Sequence, residues 1–144
     1  MQLQQYNFEV TLTLLPCEIA MKCLLPSIRA AVADRLLRNH NLKQLEVAKL
    51  LGVSQSAISL YSRKIRGKAI SLENDQEIVT LIDNLANAIL NRNLACKDLI
   101  RTFCLICRTA RAKGLLCQMH KNLDQNLADE NCELCFLPNA IRCI

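Results

Sequence analysis

An all-α protein is predicted from three observations. The 144 residues are 51% apolar yet include only three Gly and three Pro, too few turn formers for a sandwich or a barrel. From Glu18 onward the apolar positions recur at helical spacing rather than alternating. Candidate caps and stops (Ser54, Asn74, Gly52, Gly114) punctuate that pattern where helices would begin and end. The length suits one domain or two very small ones, and a chain this apolar with a net charge of +5 is expected to fold rather than stay disordered.

Residues 1–15 alternate weakly through Phe8, Val10, Leu12 and Leu14 with no partner strand, and are expected to form a peripheral, poorly ordered arm. A short helix to about Leu24 follows, then a second from about Ser27 to Arg38 carrying Ile28, Val32 and Leu36, with Pro26 interrupting between them. The next helix is predicted from Lys43 to Leu51, with Leu45, Ala48 and Leu51 on its inner face, and Gly52 ends it. Ser54 then caps a helix from Gln55 to about Ile65 whose inward residues are Ile58 and Tyr61 or Ser62. Asn74, followed three residues on by Glu77, resembles a capping box for a helix from Asp75 to Asn91. Its stripe of Ile78, Leu81, Ile82, Leu85 and Ile89 suits either the protein's own core or a dimer interface. Further helices are predicted from Cys96 to Lys113 and from Leu115 to Leu123.

Charge and cysteine divide the chain. Residues 43–68 hold six Lys/Arg and one Asp/Glu, which equals the whole net charge, while the flanks contribute +1 and −1. Of the nine cysteines, none falls between 43 and 95 and seven fall from 96 to 143. The expected organisation is an arm (1–15), a basic helical unit (16–93) and a cysteine-rich metal or redox unit (94–144). No basic n-region or cleavage site marks a signal peptide, and no apolar run approaches a membrane span. The expected setting is cytoplasmic, where an odd number of cysteines points to metal or redox chemistry rather than a disulfide scaffold.

Two helices crossing through a three-residue turn need a small residue at the crossing, a residue free to take positive φ in the turn, and an apolar anchor beyond it. Gln44-x3-Ala48-x3-Gly52-Val53-x4-Ile58 supplies all three in register and resembles the helix-turn-helix of the lambda-repressor/Cro or XRE type. An ordinary helical hairpin with a glycine turn is the simpler alternative, but the basic excess on the same residues favours double-stranded DNA as the partner. In such a unit the second helix enters the major groove. Gln55 is then the first candidate for reading a base, since its amide pairs bidentately with adenine, followed by Ser56 and Ser59. Lys43, Gln44, Tyr61, Arg63, Lys64, Arg66 and Lys68 are the candidates for phosphate contact. So few contacts per chain predict a homodimer reading two half-sites.

The cysteine unit contains Cys104-x2-Cys107, then Cys117, then Cys132-x2-Cys135. Paired thiolates of this kind supply the soft ligands that zinc or an iron–sulfur cluster takes. The 24 residues between the pairs exceed an ordinary zinc ribbon, the first pair sits in a helical pattern, and Cys117 is surplus to a closed Cys₄ zinc site. These details favour a cluster, with a structural zinc site or a thiol switch as alternatives. Cys117-x2-His120 permits a mixed zinc set, although a lone His on a helix is more often a surface residue. Cys17 stands at a helix start, where a thiol is activated, but the plainer reading is a small residue in that position. Cys23, Cys96 and Cys143 read as core or surface residues.

From about Pro16 to Cys135 the chain resembles archaeal predicted transcriptional regulators of XRE type. The resemblance is carried by Pro16-Cys17-Glu18, Leu25-Pro26-Ser27-Ile28-Arg29-Ala30, the helix-turn-helix, Ser71-Leu72-Glu73-Asn74-Asp75, the two cysteine pairs and Gly114-Leu115-Leu116-Cys117. It implies a lambda-repressor-like bundle followed by a cysteine-rich sensing or structural domain that holds an iron–sulfur cluster. An enzyme is not expected: only two His occur (His40 and His120), with no Walker loop and no GxGxxG. The rival expectation from another class is a small cluster-carrying electron-transfer or cluster-transfer protein.

Overall fold

The structure, a computed structural model, describes residues 13–92, 94–127 and 131–136. The alternating segment expected to be an arm therefore falls largely outside the described residues. The described part is helical throughout, with no strand among its residues. Its helices are α1 (Pro16–Ile19), α2 (Leu25–Arg38), α3 (Gln44–Leu51), α4 (Gln55–Ser62), α5 (Gln76–Leu90), α6 (Cys96–Ala112) and α7 (Cys117–Leu123). Short 3₁₀ turns lie at Gln125–Leu127 and Leu134–Phe136. No helix of the described residues is long and apolar enough to cross a membrane.

Pro26 does not break the first helical run. Ala20–Leu24 winds as a single π turn in which the Leu25 N–H donates to the Ala20 carbonyl, and Pro26 follows within the first turn of α2, where its missing N–H costs little. The run from Pro16 to Arg38 is thus continuous and changes pitch instead of separating into two helices. Ser27 is buried here, donating from Oγ to the Cys23 carbonyl at 2.8 Å and accepting from the Ile70 N–H at 3.3 Å.

Helix α2 is the centre of the bundle, with α3, α4 and α5 packed around it. Ile28, Val32 and Leu36 are fully buried against Val47, Ile58, Ile78, Ile82 and Leu85. The stripe on α5 faces this core. On α3 the inner face is Val47 and Ala48, whereas Leu45 is exposed: at 100° per residue it lies about 110° from the midline between those two. Helix α5 is capped by Asp75, not Asn74, its carboxylate accepting from the Ile78 N–H at 3.0 Å.

Arg35 fixes α2 to α5 and the loop before it. Its guanidinium pairs with both oxygens of Glu73 at 2.7 and 2.9 Å, and its Nε donates to Asp83 at 2.9 Å. The Glu73 hydrogen bond, followed by that of Asp83, outweighs the burial of Arg35 and holds its charge firmly. Glu73 is pulled below its ordinary value by the same contact.

The core continues past residue 94: Ile106, Ala110 and Leu116 belong to the same buried cluster as Ile19 and Ile82. Helix α6 packs on α5, and Lys113 at its end pairs with Asp75 and Glu77 at 2.8 Å each. Gly114, at φ 73, turns the chain into α7, which returns to α1. The cysteine segment is therefore built onto the first helical run.

Candidate functional site

Two surfaces carry the residues singled out in the sequence. The first is the α3–α4 pair. Glu46 accepts from the Lys43 N–H at 2.7 Å and anchors the start of α3. Gly52 takes φ 64 and ends the helix, and Ser54 accepts from the Ala57 N–H at 3.1 Å to start α4. An added Cβ at Gly52 would meet nothing within 4 Å, so its conformation and not its size makes the position a glycine. Ala48, Ala57 and Ile58 are buried where the helices cross.

With that face inward, Gln55 and Ser56 are exposed on the first turn of α4, and Ser59 is half-buried. Lys43, Arg63, Lys64, Arg66 and Lys68 are exposed and Gln44 is half-buried. Tyr61 is only 6% exposed, with the Arg66 guanidinium 5.9 Å from its ring centre. It serves the core, as its inward register allows, and has little surface to offer a phosphate.

Helix α4 ends earlier than the expected Ile65. After Ser62 the chain turns through Lys64 at φ 54 and Gly67 at φ 74. A Cβ on Gly67 would stand 2.5 Å from the Ala30 Cβ and 2.6 Å from the Pro26 carbonyl, so the basic loop lies directly on the start of α2. This glycine is a positioning residue that spacing within the helix-turn-helix did not point to.

The second surface is the cysteine cluster. Its centre is Arg111, one turn beyond Cys107 on α6 and only 3% exposed. Arg111 Nη1 lies 3.8 Å from the Cys17 sulfur, the guanidinium also hydrogen-bonds Cys135, and its Nε is buried with no hydrogen-bond partner. Burial opposes the charge, but the Cys135 hydrogen bond and the neighbouring Cys135, Cys17 and Cys107 sulfurs more than offset it, so the guanidinium is held above its ordinary value. Cys17, Cys107, Cys104 and Arg111 also border an apolar cleft of about 430 Å³ that runs between α1, α3 and α6.

On the other side of Cys135, a crevice of about 20 Å³ is bordered by Pro16, Cys117, Cys132, Cys135 and His120. Burial, and then the Cys135 and Cys132 sulfurs, push the Cys117 thiol up. No disulfide joins Cys17, Cys104, Cys117, Cys132 or Cys135. Cys23 is buried in the core and Cys96 is exposed, while Cys143 lies outside the described residues.

The structure thus brings Cys117, Cys132 and Cys135 to one crevice and sets Cys104 and Cys107 of α6 on the apolar cleft together with Cys17 from the opposite end of the chain. Among the described residues, no three His, Cys, Asp or Glu side chains are grouped tightly enough to hold a single metal ion. His120 is not the surface residue expected: it is 6% exposed, and its Nε2 is 2.7 Å from the Leu14 carbonyl. Since a carbonyl only accepts, Nε2 donates there and is not available as a ligand. The chemistry on offer is a set of soft sulfur donors beside a buried cation with an unused N–H. The donors are of the type an iron–sulfur cluster takes, but as placed among the described residues they do not form a closed ligand set. No protein-family model, no curated protein and no solved structure matches this chain.

Proposed function

We propose that the chain is a sequence-specific DNA-binding transcriptional regulator whose C-terminal cysteines hold an iron–sulfur cluster that senses redox state or metal supply. The observation that carries the DNA-binding part is the α3–α4 pair. Its turn glycine, capping serine and buried crossing leave Gln55 and Ser56 exposed at the leading end of α4, with exposed Lys43 before α3 and exposed Arg63, Lys64, Arg66 and Lys68 after α4. In this reading Gln55 reads a base edge, with Ser56 and Ser59 beside it, and Lys43, Arg63, Lys64, Arg66 and Lys68 grip the phosphates on either side. Two copies related by a two-fold axis read half-sites about one helical turn apart.

The cluster part is supported by the sulfur donors gathered beside Arg111. The candidate donors are Cys104, Cys107, Cys117, Cys132 and Cys135, and such a group supplies a redox-active, oxidant-sensitive centre when bound. Arg111 offsets the negative charge of the thiolates, and its Nε is a donor for a sulfur acceptor.

Selection of bound sequences from a random duplex pool, followed by binding of the enriched duplex between 50 and 200 mM salt, tests the reading. A recurrent motif and an affinity that falls steeply with salt are expected, because each neutralised phosphate releases a counterion. No enriched motif, or a flat salt response, overturns it.

A further inference from the structure

We propose that the apolar cleft between α1, α3 and α6 binds a small apolar acid, a hydrocarbon body carrying one carboxylate. The site needs neither the DNA contact nor the metal centre proposed above. Its volume of about 430 Å³ falls within the range of small-molecule sites, roughly 300–1,000 Å³. The class of ligand follows from how polarity is distributed along its walls.

One wall is a single face of α6, on which Ile100, Phe103, Cys104, Cys107, Arg108 and Arg111 recur at helical spacing. That face changes character along the axis. Leu99, Ile100 and Phe103 make its leading half apolar, whereas Arg108 and Arg111 make its C-terminal end cationic. From Ile100 to Arg108 the rise of an α-helix gives about 12 Å, room for an extended hydrocarbon chain between the apolar part and the charge. The other walls are apolar through Ala20, Leu25, Leu50 and Leu51, and add one more cation, Arg29.

Three arginines and no carboxylate therefore line the cleft. Among the described residues, none of the three is in an ion pair. Arg111 is 3% exposed, its Nε lacks an acceptor, and its contacts are to cysteine sulfur. A guanidinium buried without a counter-carboxylate leaves a positive potential that apolar walls screen poorly, so an anion entering the cleft is attracted. At the same time Met21 and Ile100, both lining residues, are 68% and 63% exposed and leave apolar surface uncovered. An inorganic anion would leave that surface wet, and a neutral hydrocarbon would leave the cations uncompensated. An apolar acid answers both.

The full chain, kept reduced, tests the site by calorimetric titration with hexanoate, octanoate, decanoate and uncharged octanol, each below its aggregation concentration. Saturable binding of one acid per chain is expected, tightening about fourfold for each methylene that enters the cleft. Octanoate should bind at least tenfold more tightly than octanol, and saturating acid should raise the melting temperature because it binds the folded chain alone. Ile100→Glu sets a carboxylate in the apolar half and should weaken decanoate at least tenfold with helical circular dichroism unchanged. Arg29→Gln combined with Arg108→Gln should cut the preference for octanoate over octanol at least threefold, a readout that does not depend on the folding of the Ile100 variant. No saturable binding of any acid, or octanol bound as tightly as octanoate, overturns the proposal. Self-association that Ile100→Glu abolishes, with no acid bound, overturns it and gives the face to a second copy of the chain. Binding confined to vesicles of anionic lipid overturns it in favour of a membrane surface.

Discussion

His120 on α7 donates from Nε2 to the Leu14 carbonyl at 2.7 Å, joining residues 106 apart in sequence. The neighbouring Asp124 accepts from the Leu14 N–H at 2.8 Å, so the N–H and C=O of one residue at the entrance to α1 are both held by α7 and its C-terminal cap. His120 and Asp124 are both buried, at 6% and 5% exposure. His120→Ala leaves the carbonyl without a partner and is expected to destabilise the protein by about 1–3 kcal/mol, measured by urea unfolding. Because Leu14 is three residues before Cys17, the same substitution should speed alkylation of Cys17 in the metal-stripped protein.

Gly52 and Gly67 both take positive φ, at 64° and 74°, but for different reasons, and alanine should separate them. At Gly52 only the backbone conformation is at stake, and Gly52→Ala should cost about 1–2 kcal/mol. At Gly67 the new Cβ also meets Pro26 and Ala30 inside 3 Å, so steric strain of roughly 1–3 kcal/mol adds to the conformational cost. Gly67→Ala should therefore lower the melting temperature more than Gly52→Ala. Equal losses at the two positions would refute the close packing of the basic loop on α2.

Much of the bundle was legible because its signals are local. The turn at Gly52, the cap at Ser54 and the buried stripe on α5 follow from the identities of residues a few positions apart. Leu45 was misplaced because five apolar residues on α3 compete for one inner face, and packing against α2 chose Val47 and Ala48. Pro26 was read as a break because only the structure shows the π turn ahead of it. The approach of Cys17 to Arg111 spans 94 residues, and no periodicity encodes a contact of that range. The one available clue was an activated position for a thiol at a helix start. His120 was read as a surface residue for the same reason, its partner being a backbone carbonyl with no side-chain signature.

Acid should loosen the contact between α2, α5 and the loop before it. Glu73 is held below its ordinary value of 4.5 by the Arg35 hydrogen bond, and Asp75 is lowered from 3.8 first by Lys113 and then by the Ile78 N–H it caps. A carboxylate with a depressed folded pKa contributes stability that is complete above its unfolded value and is lost as pH falls through the folded one. Urea midpoints should therefore be flat with respect to these groups near neutrality and decline below about pH 4.5. The Glu73 side chain is 59% exposed, so solvent screening keeps the effect of Glu73→Gln to about 1 kcal/mol or less at pH 7. That variant should also show a shallower acid decline than the parent protein, and an unchanged decline would place the acid sensitivity elsewhere.

The two classes of residue around α4 should fail differently when altered. Gln55 is exposed on the first turn of α4 and carries no charge, so Gln55→Ala removes a base contact and no phosphate contact. Affinity for the selected duplex should fall by about 1–3 kcal/mol, roughly five- to 150-fold at 25 °C, with relaxed preference at one base pair per half-site and no change in the slope of log affinity against log salt. Arg63, Lys64, Arg66 and Lys68 are likewise exposed but charged. Replacing any one that touches a phosphate with Ala should weaken binding to selected and random duplexes alike and reduce the salt slope by about one. Tyr61→Phe provides the internal control: with its ring buried under Arg66, the variant should bind DNA as the parent does. A Gln55→Ala variant whose loss is equal on every sequence would assign α4 to the phosphate backbone and leave base reading to another element.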